Sequence, residues 1–271
     1  MLVRVVSFGS EGVKRSIMRS AKNGLVIHPE RDIPLLRQVR NSKFVSHDQL
    51  YELLRFCGSE CSRDSFGWRA RRLLGAGLLS ICEGAFGAKL AVYRISRAGI
   101  ALLEHHGHFT TVLHSNTEHL PHASQVFHSL EVNQIRLALA RQNVLANWQS
   151  EIEVASFNTI SSSPYQKDYD AIVDVWIADR KRRFALEYER TLKSYRHYAH
   201  IRAALVAECQ LDCILYLTAG TEVLVHLVHE FHSLPRKLAF ATARDFESTA
   251  LSTRVITPGS LAGAPFSELL I

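Results

Sequence analysis

Residues 169–193 read YDAIVDVWIADRKRRFALEYERTLK. Two runs rich in β-branched and aromatic residues flank a charged turn at Arg180, Lys181, Arg182 and Arg183, which predicts a strand hairpin. Side chains two or four apart on a strand point to the same face. Asp170 and Asp174 on the first run, with Glu187 and Glu189 on the second, are therefore expected on one side of a sheet. Carboxylates crowded on an apolar sheet repel one another and lose hydration, so they need compensation. A divalent metal is one form, with Asp170, Asp174 and Glu187 as candidate ligands. Ion pairing with the arginines of the turn and with Arg190 is the other. Both stay open at this point.

The flanking pattern places this hairpin in a larger α/β domain. A helix is expected over residues 130–147, with Val132, Ile135 and Leu139 on one face. A strand over 151–157 and a loop over 158–168 lead into the hairpin. A helix over 192–208 follows, burying Leu192, Tyr195, Tyr198, Ile201 and Leu205, with Lys193, Arg196, His197 and His200 opposite. A strand over 213–218, a helix over 222–232 and a last strand over 237–241 complete the reading. Helix, three strands, helix, strand is similar to the core of the restriction-endonuclease-like PD-(D/E)XK superfamily. That resemblance implies catalytic roles for Asp170 and Glu187, the first acids of its motif, although Tyr169 stands where a proline is usual. It also implies Mg²⁺, held by the acids, which activates a water while a lysine steadies the charge developing on phosphate. Here Glu189 occupies the lysine position, and Lys193, one helical turn beyond, is the candidate substitute. The residues by themselves fix no cofactor.

The N-terminal half reads differently. Ser46 caps an expected helix over 47–57, with Leu50, Leu53 and Leu54 at core spacing. Ser62 caps a second over 63–74, whose apolar stripe is Phe66, Ala70, Leu73 and Leu74. At about 100° per residue, Trp68, Arg71 and Arg72 fall opposite that stripe, with Arg69 at its flank. Gly75 and Gly77 end the helix. Two strands at 78–82 and 90–95 enclose a turn at 83–89, and a helix starts at Ser96. The sequence of elements resembles a winged helix-turn-helix domain, which implies a recognition helix in a DNA major groove. The expected DNA contacts are Arg63, Trp68, Arg69, Arg71, Arg72, Lys89 and Arg94.

Charge supports that half as the polyanion-binding one. Residues 1–111 carry 17 Lys/Arg against 9 Asp/Glu, while residues 112–271 carry 15 against 17. Residues 1–43 read as a basic arm that adds phosphate contacts, and the seven histidines between His105 and His128 read as part of a polar linker. Cys57, Cys61, Cys82, Cys209 and Cys213 are odd in number and spaced unlike a zinc site, so they are expected reduced and mostly buried. No apolar run is long enough for a membrane span and no signal-peptide core is present, so a cytoplasmic protein is expected.

The order of these parts, with DAIVDVWI and RRFALEYERTLKSYRHY in the second half, resembles the replication-relaxation family of plasmid and mobile-element proteins. The resemblance spans residues 44–218. It implies an α+β chain: basic arm 1–43, winged helix 44–106, linker 107–128 and nuclease-like α/β domain 129–271. The expected function is binding of double-stranded DNA, as a monomer or homodimer, in control of replication, transfer or transcription. The alternative is a Mg²⁺-dependent endonuclease targeted by the winged helix. The glutamate at position 189 favours the non-enzymatic reading.

Overall fold

The computed structural model describes residues 26–60, 62–82, 91–111, 122–211, 213–234 and 237–271. They divide into two compact units, the first ending at Phe109 and the second running on to Ile271.

The first unit comprises α1 (Pro29–Ser42), β1 (Val45–Ser46), α2 (His47–Phe56), α3 (Arg63–Gly75), β2 (Leu79–Ile81), β3 (Val92–Ile95) and α4 (Arg97–His105). Serines set three of the helix starts. The Ser46, Ser62 and Ser96 side chains accept the backbone N–H groups of Gln49, Ser65 and Gly99. At Ser46 the Gln49 side chain reaches back to the Ser46 N–H, closing a capping box. Beyond α3, Gly77 takes the left-handed conformation (φ 71°) that stops the helix. The strands form an antiparallel sheet in the order β1-β3-β2, with Leu79 opposite Ile95 and Val45 opposite Tyr93. Leu35, Leu36 and Val39 of α1 are fully buried, as are Leu50, Phe66, Ala70 and Leu73. Each of these Leu, Val and Phe side chains contributes about 1.5–3 kcal/mol by leaving water. Gly99 lets α4 approach the start of β2, because a Cβ there would lie 2.3 Å from the Leu78 carbonyl oxygen.

Residues 29–42, expected as part of a basic arm, are thus helix α1. Its charged residues obscured a buried stripe at Leu35, Leu36 and Val39. The turn expected at 83–89, with Lys89, lies outside the described residues, as do residues 1–25 and Cys61. The four described cysteines are free, but only Cys82 and Cys213 are buried; Cys57 and Cys209 are exposed.

The second unit comprises α5 (Ala123–Arg141), β4 (Leu145–Ser150), α6 (Glu151–Ile160), β5 (Ala171–Ile177), β6 (Arg180–Glu189), α7 (Tyr195–Ala207), β7 (Cys213–Thr218), α8 (Thr221–Glu230), β8 (Lys237–Thr242), α9 (Ala243–Thr249), a 3₁₀ turn (Ala250–Ser252), β9 (Arg254–Thr257), β10 (Ser260–Pro265) and α10 (Phe266–Leu269). Its seven-stranded sheet has the order β10-β9-β8-β7-β6-β5-β4. Strands β6, β7 and β8 are parallel and the other neighbours antiparallel. The chain is a mixed α/β protein of the α+β kind, as the sequence predicts.

Alternation sorts the hairpin residues into two cores. Ala171, Val173, Val175, Phe184 and Leu186 pack with Leu215, Leu217 and the α5 residues Ile135 and Leu139. Ile172, Ala185, Ile214 and Tyr216 pack with Tyr198, Ile201 and Leu205 of α7. With both faces covered, the central strands read as continuous apolar runs.

Four elements differ from expectation. The helix expected over 130–147 begins earlier, at Ala123, so residues 123–128 are not linker, and it ends at Arg141, followed by Asn143 at φ 55°. Residues 151–157, expected as a strand, are helical. Ser150 and Glu153 form a capping box there, while Ile152, Val154 and Ser156 mimic strand alternation. The hairpin turn is only Ala178 and Asp179, both at positive φ, so the basic residues 180–183 lie in β6 itself. Helix α7 starts at Tyr195, and Leu192 and Tyr195, expected to be buried, are exposed.

Candidate functional site

In the first unit, α3 is the candidate nucleic-acid interface. Trp68 is 58 % exposed, and the Arg71 side chain is exposed, its Nε donating to the Gly67 carbonyl of the preceding turn. The Arg72 guanidinium lies 5.3 Å from the centre of the Trp68 ring. It also donates to both oxygens of the fully buried Asp32 at 2.5 Å and to the Val26 carbonyl. Arg69, expected at the flank of the exposed face, is buried. It pairs with Glu60 at 2.5 Å and lies 3.7 Å from Asp32. Arg69 and Arg72 therefore tie α3 to α1 and to the segment before α3. The helical-wheel reading missed this because the acids that claim them, Asp32 and Glu60, lie outside the helix. Arg63 is exposed and pairs with Asp48 at 2.7 Å. Arg94 on β3 is partly buried and donates to the Ser80 hydroxyl at 3.0 Å.

In the second unit the four acids of the hairpin separate into two groups. Asp174 pairs across the strands with Arg183 at 2.8 Å and with Lys181 at 3.0 Å. The cations beside it hold its carboxyl below the ordinary range even though burial opposes this. Four residues from Asp170, about 13 Å along a strand, it is no partner for a metal shared with Glu187. Asp174, expected among the ligands, is thus taken up by ion pairs with Arg183 and Lys181.

The other group lies at the far end of the hairpin. Ala171 pairs with Leu186, which brings Asp170 beside Glu187. Asp170 accepts the Tyr188 backbone N–H at 2.7 Å, and its other oxygen lies 3.0 Å from His128 Nε2. Burial alone would raise its pKa, but His128, the Tyr188 N–H and Lys167 stabilise the charge and hold it low. Glu187 is buried beside it, and one oxygen pairs with Lys167 at 2.5 Å. Its other oxygen, Oε1, is buried with no hydrogen-bond partner among the described residues. Burial pushes its carboxyl up to about 7; the charge on Asp170 adds to this, and Lys167 and Lys193 oppose it. Glu189 pairs with Lys193, which also senses the charges of Glu187 and Asp170. Tyr216 stands opposite Glu187 in the strand register, and its hydroxyl is also buried with no hydrogen-bond partner among the described residues. An unpartnered carboxylate oxygen next to a second carboxylate fits the divalent cation that the nuclease resemblance implies, with Asp170 and Glu187 as its holders.

The segment that carries both features has a recognised pattern. The replication-relaxation family matches residues 36–207, well over half of the chain. The chain belongs to that family. No curated protein and no solved structure matches it. The family match of this replication-relaxation protein covers α3 and the whole acidic hairpin, and ends with α7. No helix among the described residues is long and apolar enough to cross a membrane.

Three residues near Asp170 are absent from the sequence reading of the site: Lys167, His128 and Glu151, the last with a carboxylate oxygen within 4.8 Å of the His128 and Asp170 donor atoms. The sequence pattern puts Lys167 in a loop, His128 in a linker and Glu151 at the start of a strand, whereas Glu151 opens helix α6. Only Lys167 has a legible signal, its nearness to Asp170 in sequence; the fold brings in the other two.

Proposed function

We propose that this replication-relaxation protein binds double-stranded DNA through its first unit, acting in control of the replication, transfer or transcription of a plasmid or other mobile element. The observation that carries the reading is α3. It is the second helix of a pair, is followed by a two-stranded antiparallel hairpin, and presents Trp68 and Arg71 to solvent. An exposed indole contributes nothing to the core, so folding does not explain it. It suits stacking or groove contact beside an arginine that reaches phosphate or a guanine edge. The excess of Lys/Arg over Asp/Glu in residues 1–111 supplies the attraction to the polyanion. Arg63, at the start of α3, and Arg94, on β3, complete a winged-helix interface. Arg69 and Arg72 support that helix from beneath. A gel shift on random-sequence and selected duplexes tests this. Trp68→Ala with Arg71→Ala is expected to abolish retention at moderate salt with the fold intact. Unchanged retention contradicts it.

A second reading, a Mg²⁺-dependent endonuclease of the restriction-endonuclease-like kind, is favoured by one observation. Lys167 and Lys193 both stand by the Asp170–Glu187 pair, so a cation is present although Glu189 fills the usual lysine position. When bound, the metal would supply Lewis-acid activation of water. Asp170 and Glu187 would hold it, and Lys167 or Lys193 would face the phosphate. Nicking of supercoiled plasmid in Mg²⁺ or Mn²⁺ that disappears in Glu187→Ala supports cleavage. No nicking across metals and DNAs leaves the binding role alone.

A further inference from the structure

The second unit carries a ligand set that differs from the acidic pair of the nuclease resemblance. His128 of α5, Glu151 at the start of α6 and Asp170 before β5 each offer one donor atom, and these atoms all lie within 4.8 Å of one another. They come from three separate elements, so the fold, not a local sequence motif, gathers them. His128 Nε2 and the Asp170 oxygen are 3.0 Å apart. Two ligands bonded at about 2.1 Å to one ion in adjacent positions stand about 3 Å apart, so this pair is already spaced as neighbouring ligands. The Tyr188 backbone N–H fixes the second Asp170 oxygen at 2.7 Å, an outer-shell contact of the type that orients a ligating carboxylate. Beside Asp170, the buried Glu187 Oε1 has no partner among the described residues, an independent sign that the cluster is short of a cation.

We propose that His128, Glu151 and Asp170 form a binding site for a divalent transition metal, with Mn²⁺ or Zn²⁺ preferred to Mg²⁺ and Ca²⁺. Imidazole is a poor ligand for the hard alkaline-earth ions, which take oxygen donors, and a good one for Zn²⁺ and Fe²⁺; Mn²⁺ is held mainly by the two carboxylates and accepts the imidazole more readily than Mg²⁺ does. One nitrogen and two carboxylates leave coordination positions for water or a phosphate oxygen. The site holds its metal whether or not the unit cleaves DNA, and it is independent of the DNA-binding reading.

The test is Mn²⁺ titration of the full chain followed by electron paramagnetic resonance, in the presence of excess Mg²⁺. A single bound Mn²⁺ showing nitrogen hyperfine coupling from one imidazole is expected. His128→Gln should remove that coupling and weaken binding about tenfold or more; Glu151→Gln should weaken it similarly while keeping the coupling. The exposed His197→Gln should change neither. No bound Mn²⁺ in the folded chain, its displacement by Mg²⁺, or nitrogen coupling that survives in His128→Gln would overturn the proposal. Should His128→Gln fail to fold, the coupling in the unaltered chain and its persistence in Glu151→Gln decide the matter. Zn²⁺ should compete with Mn²⁺ for the same site.

Discussion

Asp32 and Glu187 are both buried carboxylates beside basic side chains, yet their surroundings end differently. Both oxygens of Asp32 accept from Arg72, Arg69 stands nearby, and the His28 backbone N–H donates at 2.8 Å. Glu187 has Lys167 on one oxygen and nothing among the described residues on the other. The first arrangement is saturated, and it joins α1 to α3. The second keeps acceptor capacity in a place where burial makes idle capacity costly. A charged cluster therefore reveals its role less by its composition than by what it leaves unpaired. The same contrast separates the two ends of the acidic hairpin, where Asp174 is neutralised by Arg183 and Lys181 and Asp170 meets a histidine from another element.

The contrast can be broken from the structural side first. Asp32→Ala leaves the Arg72 guanidinium without its carboxylate, while Arg69 keeps Glu60, and should cost about 3–5 kcal/mol of the first unit's stability, seen in chemical denaturation. A loss within error would mean that the pair is not structural. Glu187→Gln tests the other side through pH. The native Glu187 titrates near 7, above its ordinary value of 4.5. The folded state therefore holds that proton more tightly, and its contribution to stability is present below about 4.5 and lost as pH rises through about 7. The unaltered chain should lose stability over that interval, and the Gln variant should show a flatter profile. Identical profiles would show that Glu187 is not the group responsible. The smallest effect is expected at Arg63→Ala, whose exposed pair with Asp48 is screened by solvent. Its denaturation midpoint should not move measurably, which would separate exposed ion pairs from the buried network of Asp32.

Much of this was legible in the chain. Period-2 alternation and β-branched runs placed β5 and β6, and serine caps placed α2, α3 and α4, because these signals are local. What failed was decided by distant residues. Arg69 looks exposed on a helical wheel until Asp32 and Glu60 arrive from outside the helix. Residues 151–157 alternate like a strand, but the Ser150–Glu153 capping box and the burial of Ile152, Val154 and Ala155 make them helix. In the candidate site, Asp170 and Glu187 were readable from the hairpin register. His128 and Glu151 were not, since only the packing of α5 and α6 beside that sheet end brings them to Asp170.

The DNA-binding face proposed for α3 consists of Trp68 and Arg71, with Arg69 and Arg72 beneath it. Fluorescence anisotropy of a labelled duplex, measured over a range of salt concentrations with Arg71→Ala, tests it most directly. Weaker binding and a log–log salt slope shallower by about one, the mark of a lost phosphate contact, are expected. An unchanged affinity and slope in a folded variant would contradict it.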